Sequence, residues 1–368
     1  MDLPVVPPIR PMLAKATTEL PDRDDIIFEP KWDGFRCIIF RDGDEVEFGS
    51  RNSKPLTRYF PELIQPVLES FPKRCVIDGE LIIAGGDRLE FEALQQRIHP
   101  AESRINMLAE ETPASFVAFD ILAEGDEDLR EQPFSERRAR LVRALQHVNA
   151  PVYLTATTTD RAEAQRWFVD FEGAGLDGLI AKPVDEPYAE NKRSQIKVKH
   201  TRTADAVVAG YRWHKDGAGI GSLILGLWED GKLRHVGVAA SFTKKRRAEL
   251  VAELEPLTQD AVKEHPWRSW IVGNEDGSSS AGSSSEESTA QQVPGTPNRW
   301  SAARDQSWTP IRIERVAEVK YSTTLGGRFR DVTKMLRWRP DKDPKDCDHD
   351  QLEEPPAYAV ADVLQANG

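Results

Sequence analysis

Cysteine is almost missing from this chain: Cys37, Cys75 and Cys347 are the only three in 368 residues, and none belongs to a CxxC pair. That spacing excludes a zinc ribbon and a disulfide framework, so a reducing cytoplasm is the expected location. No stretch approaches the roughly 20 consecutive apolar residues that a membrane span needs. Residues 1–10 lack the charged start and apolar run of a secretory leader. His99, His200, His214, His235 and His265 fall at no paired ligand spacing, and no internal repeat is visible. Positive charge is also short, 49 Lys plus Arg against 61 Asp plus Glu for a net −12, which argues against a wholly basic nucleic-acid binder. The shortage is uneven. Residues 187–250 hold 13 basic side chains against 6 acidic ones, a local +7, whereas residues 120–136 hold 7 acids and one arginine. A basic stripe on an acidic chain still suits a phosphate backbone, because counterion release depends on local charge.

What is present fits two domains, since 368 residues with 39% hydrophobic and 30% charged content exceed one typical small domain. In the first, apolar runs at 26–28, 37–40, 75–83, 115–122, 178–182 and 195–199 read as strands. Pro61 opens a helical spacing through Leu63, Ile64, Val67 and Leu68; Phe91, Leu94 and Ile98 mark a short helix. Ser135 and Asp160 are candidate caps of two longer helices, the second stopped by Gly173. Mixed α/β structure with largely antiparallel strands follows. Beyond Arg202 the runs shorten to 206–210, 222–228, 233–238, 312–321 and 329–337 around one helix at 243–257, the pattern of a small barrel of the OB type. A Ser-, Glu- and Gly-rich stretch at 273–298 reads as a disordered insertion. The expected boundaries are 1–201, 202–350 and a tail at 351–368.

Residues 29–36, Glu-Pro-Lys-Trp-Asp-Gly-Phe-Arg, set Lys31 in a tight turn between two apolar strands, with an acid on either side and an arginine five residues on. A solvated hairpin lysine is the plain alternative. Asp78 and Glu80 alternate in an otherwise apolar strand, and Lys197 and Lys199 share a strand face, where they repel each other unless an anion lies between them. Gly217–Gly221 looks like a phosphate loop but lacks a Lys-Ser ending and reads as a hairpin turn. Lys244–Arg247 reads as a solvated helix start able to touch phosphates.

Lys31-Trp32-Asp33-Gly34-Phe35-Arg36 resembles the KxDGxR signature of covalent nucleotidyltransferases, the superfamily of ATP-dependent DNA ligases, RNA ligases and capping enzymes. Further motifs follow in the family's order: Ser50–Asn52, Asp78–Leu81, Phe116–Asp120, Asp177–Lys182, Gln195–Lys199 and Arg337–Lys342. The resemblance runs from about residue 5 to 345 and is nearest the short bacterial ATP-dependent DNA ligases of the LigC type. It implies an α+β fold: an N-terminal nucleotidyltransferase (adenylation) domain with antiparallel sheets flanked by helices, then a C-terminal OB-fold barrel.

The resemblance also implies a chemistry. Lys31 would attack the α-phosphate of ATP and carry AMP; Lys197 and Lys199 would hold that phosphate and, with bound metal, favour the neutral amine. Glu29 would face the adenine amino group, Phe119 would stack on the ring, and Arg36 and Glu80 would bind the ribose. Lys182 would line the same nucleotide pocket. Arg51 would bind the 5′-phosphate of a nick. Glu80 and Asp177 would engage Mg²⁺ or Mn²⁺. Asp177 stands where many relatives carry Glu, a shorter reach. Arg337, Arg339, Asp341 and Lys342 would orient the pyrophosphate once the second domain closes about a hinge at 199–205. The implied partner is nicked duplex DNA, held without sequence specificity by a monomer at the bacterial nucleoid, with a repair polymerase or end-binding protein beside it. Sealing restricted to repair is expected, in preference to bulk replicative joining. A capping or RNA-joining enzyme, and a noncatalytic OB module, are the competing readings; an intact Lys31, Glu80, Lys197 and Lys199 set weighs against the last.

Overall fold

In the computed structural model, residues 1–269, 271, 307–352 and 355–365 are described, so the stretch expected as an insertion at 273–298 lies outside the described residues. The chain divides into two units, Met1–His200 with Pro355–Gly368, and Thr201–Glu354.

The strands of the first unit are β1 (Leu13–Thr17), β2 (Ile26–Pro30), β3 (Phe35–Asp42), β4 (Glu45–Ser50), β5 (Arg74–Ile82), a small hairpin β6 (Ala84–Gly85) and β7 (Arg88–Leu89), β8 (Ser115–Glu124) with its extension β9 (Glu127–Asp128), β10 (Val152–Leu154), β11 (Leu179–Pro183) and β12 (Arg193–Val198). They form two main sheets, ordered β1-β12-β11-β2 and β10-β8-β5-β3-β4. Only the β1–β12 and β8–β10 pairs among these are parallel. The strand-turn-strand expected around Lys31 is therefore no hairpin. Strand β2 pairs with β11 in the first sheet and β3 with β5 and β4 in the second, so Lys31 lies where the chain changes sheets.

Alternation explains the burial. On β3, Cys37 and Ile39 enter a core with Phe48, Phe60, Val67, Ile77, Phe116 and Leu141, while Ile38 and Phe40 enter another with Val5, Ile9 and Val76. Helices α1 (Ile64–Ser70), α2 (Phe91–Gln96), α3 (Glu102–Glu111), α4 (Phe134–Ala144) and α5 (Arg161–Asp170), with a short helix at Val360–Gln365 where the chain returns, belong to the same unit. Asp160 caps α5 as its sequence suggests, accepting from the Ala162 N–H at 2.8 Å. Ser135 does not cap α4: the helix starts at Phe134 behind Pro133, and the Ser135 N–H donates to the Val184 carbonyl. Helix α3 has no reading in the sequence, because its N-cap Ala101 makes no capping bond and only Ile105, Leu108 and Ala109 are buried.

The second unit is built on β13 (Arg202–Trp213), β14 (Ile220–Glu229), β15 (Lys232–Ala239), β17 (Val316–Tyr321) and β20 (Lys334–Trp338), with short pieces β16 (Thr309–Pro310), β18 (Thr324–Leu325) and β19 (Arg328–Phe329). The order is β15-β14-β13-β17-β20, and a bridge between Ala239 and Thr333 joins the two ends into a barrel. Strand β13 can serve both sides because it is long and bulged at Val208/Gly210: its first half pairs with β17 and its second with β14. Helix α6 (Lys244–Leu254) is capped by Thr243 and packs Leu250 and Leu254 onto the barrel core. Residues 214–219 form the β13–β14 connection, so the glycine-rich stretch is a hairpin turn. Among the described residues no helix is long and apolar enough to cross a membrane.

Candidate active site

Backbone bonds fix Lys31 first. Its N–H donates to the Gly178 carbonyl at 2.8 Å, and the Asp177 N–H donates to the Lys31 carbonyl at 3.1 Å, tying the turn after β2 to the start of β11. Trp32 plugs an apolar cluster and donates from Nε1 to the Thr155 hydroxyl at 2.8 Å. Gly34 allows the turn to close on β5, since a Cβ there would lie 2.0 Å from the Leu81 carbonyl oxygen.

The side chains then converge. Lys31 Nζ and Lys199 Nζ each lie 2.7 Å from the same Asp177 Oδ2. Burial works against the charge on Asp177, but Lys31 and then Lys199 outweigh it and hold its carboxyl below the usual range. Lys197 lies opposite Ile180 on β11, which in turn lies opposite Glu29 on β2. Partial burial, Lys199 and Lys31 all depress its pKa, and Arg51 adds to the effect. Four cations therefore share one field, with Asp177 as their nearest carboxylate partner on Lys31 and Lys199.

A second group sits deeper. Glu29 and Lys182, each almost wholly buried, pair at 2.7 Å. Burial pushes the Glu29 carboxyl up and the Lys182 ammonium down, each opposed by the other's charge. Lys182 Nζ also donates to the Phe119 carbonyl at 3.2 Å and lies 4.8 Å from its ring centroid. The Arg36 guanidinium lies 4.3 Å from that centroid and makes a two-pronged pair with Asp78 at 2.6 Å per bond. Tyr188 donates its hydroxyl proton to Asp78 at 2.6 Å. Burial disfavours the charge on Arg36, yet Asp78 outweighs it and raises the pKa.

Glu80, opposite Arg36 on β5, has no hydrogen bond or ion pair among the described residues. Burial raises its carboxyl to about 7 despite Arg36 and Lys31. Its oxygens fit a hard divalent cation, whose charge would favour the ionised form. Asp177 fits less well while its Oδ2 holds two ammonium groups. No cluster of three or more metal-binding side chains occurs among the described residues.

The expected set in the second unit is held on its own strand and loop. Arg337 pairs with Glu318 at 2.6 Å; Arg339 pairs with Asp341 and Asp205, each at 2.7 Å; Lys342 reaches Asp205 at 3.3 Å. The hydrogen bond from Arg339 brings the Asp341 carboxyl down to about 2 and its own pKa up. At the basic start of α6, Arg246 is taken by Glu249 and Glu253. Sequence reasoning missed Tyr188 and Thr155, which steady Asp78 and Trp32. Neither lies in a motif, and only the fold brings Tyr188 across 110 residues to Asp78.

Two family profiles match: "ATP dependent DNA ligase domain" over residues 11–199 and "ATP dependent DNA ligase C terminal region" over residues 216–342. The chain is 52% identical to DNA ligase C of Mycobacterium tuberculosis, over 99% of each chain. It is 51% identical to DNA ligase C2 of Mycolicibacterium smegmatis, over 97% of each. The solved structure of a Lig E DNA ligase is alike in fold, with a TM-score of 0.55 at 18% identity, covering 90% of this chain and 99% of that one. With two family profiles matched in order along the chain and near full-length identity of this degree, the chain belongs to the family of ATP-dependent DNA ligases, enzymes that seal nicks through a covalent adenylate.

Proposed function

We propose that Lys31 is the residue that carries AMP and that the surrounding charges divide the work of nick sealing as follows. The observation that carries this reading is the shared contact of Lys31 and Lys199 with one Asp177 oxygen at 2.7 Å. An arriving α-phosphate competes for Lys199 and Lys197, which hold its growing negative charge, while Asp177 keeps Lys31 Nζ aimed. The Lys31 nitrogen, its proton lost, forms a bond to the α-phosphorus, the bond to the β-phosphate oxygen breaks, and pyrophosphate leaves. Arg337, Arg339, Asp341 and Lys342 of the second unit orient that leaving group.

Glu29 and Lys182 read the adenine edge, Phe119 stacks on the base, and Arg36, held by Asp78 and Tyr188, meets the ribose with Glu80. A divalent metal, Mg²⁺ or Mn²⁺, would neutralise phosphate charge when bound, and Glu80 with Asp177 would hold it. Arg51 holds the 5′-phosphate of the nick, whose oxygen then takes AMP from Lys31. Attack by the 3′-hydroxyl expels AMP and closes the strand. The local excess of positive charge at 187–250 supports backbone binding without base readout, by a monomer acting in repair. A nicked duplex labelled at its 5′-phosphate tests the scheme. Sealing should require ATP and metal and disappear in Lys31→Ala; sealing that persists in that variant removes Lys31 from the mechanism.

A further inference from the structure

The far end of the chain returns to the first unit. Val360 and Val363, 2% and 1% exposed, share the apolar cluster that seats Trp32 and also contains Phe171 and Leu176. Tyr358 packs its ring 5.3 Å from Phe171, and the Val360 N–H donates to the Asp87 carbonyl at 2.8 Å. Gly173 makes room for this strap: a Cβ there would lie 1.9 Å from the Pro356 carbonyl oxygen and 2.8 Å from the Tyr358 nitrogen.

The outgoing end is fastened at the same place. His200, the last residue of the first unit's leading segment, stacks on Phe168 at 3.9 Å and donates from Nε2 to the Phe168 carbonyl at 2.7 Å. Glu172 lies 3.4 Å from its other ring nitrogen. Residues 168–173, at the end of α5, thus hold both the point where the chain leaves the first unit and the point where it comes back. Lys199, one residue before His200, is part of the Asp177 cluster.

We propose that residues 355–365 are a positioning segment for the adenylation step: a second tether that, with His200, anchors the chain at two neighbouring points, Phe168 in the last turn of α5 and the Phe171–Gly173 segment that follows it. This rests on the reading that Arg337, Arg339 and Lys342 act in that step. Two tethers confine those residues to a smaller volume than one, which raises their effective concentration at the nucleotide. The step that closes a pre-adenylated nick needs no pyrophosphate orientation and does not depend on the strap.

Two full-length variants test this. Gly173→Ala drives out the strap by steric clash alone. A flexible Gly/Ser insertion between Glu354 and Pro355 keeps the strap's packing but slackens the tether. Both should slow Lys31 adenylation about tenfold at unchanged KM for ATP, and leave sealing of a pre-adenylated nick within about twofold. Wild-type adenylation in the insertion variant would overturn the tether and leave the segment a packing element. An equal fall in both steps for Gly173→Ala, with a lowered melting temperature, counts against the proposal too. Failure of the underlying reading is separate: it would show as normal adenylation in Arg337→Ala with both tethers intact.

Discussion

The two sets of ion pairs in this ligase differ in depth. In the first unit Arg36–Asp78 and Glu29–Lys182 have side chains no more than 19% exposed, whereas in the second Arg337 is 62% and Asp341 59% exposed, with Arg339, Lys342 and Asp205 between 14% and 25%. Exposed pairs are weak and easily exchanged for another partner, while removing one member of a buried pair strands the other's charge. The first set therefore reads as a fixed nucleotide seat, and Arg337 in the second as a cation parked on Glu318 until a phosphate replaces it.

The most severe way to probe the fixed seat is Lys31→Ala, which should abolish covalent AMP and leave the fold intact by circular dichroism. Next, Asp78→Ala leaves the Arg36 guanidinium without its carboxylate and should cost about 3–5 kcal/mol in urea unfolding. Tyr188→Phe removes only one bond to that carboxylate and should cost about 1.5–3 kcal/mol. A cost near zero in both would erase the contrast between the two regions.

Glu80 sharpens it through pH. Its carboxyl is raised from 4.5 to about 7 in the fold, so the folded state binds more protons than the unfolded one between those values. Stability from this group is present below 4.5 and declines as pH rises through that window. Glu80→Gln should flatten the decline between pH 5 and 8 in paired denaturation curves, and also weaken metal activation. An unchanged pH dependence would place Glu80 in an ordinary solvated setting. Smallest in stability is Arg337→Ala, which should not shift the melting temperature yet should slow adenylation.

Much of this site is legible in the sequence because its chemistry lies in short runs. Lys31 with Arg36, Asp78 with Glu80, and Lys197 with Lys199 stand out as charges in apolar strands, where packing alone gives no reason for them. The second unit's barrel is likewise readable from its evenly spaced short strands. What escapes the sequence is set by distance along the chain. Strands β2 and β3 flank one turn like a hairpin, but β11 and β5 offer each a different partner. Helix α3 lacks a cap and a continuous apolar stripe. The docking of Val360 and Val363 beside Trp32 depends on a glycine, Gly173, whose small size matters only once Pro356 is placed against it.

The central claim is that the fixed seat exists to load AMP onto Lys31. Intact-mass measurement of the full chain after incubation with metal and either ATP or GTP tests it most directly. The account predicts one adenylate added with ATP, none with GTP, and none in Lys31→Ala. An adduct of equal yield with GTP, or one that survives in Lys31→Ala, would contradict it.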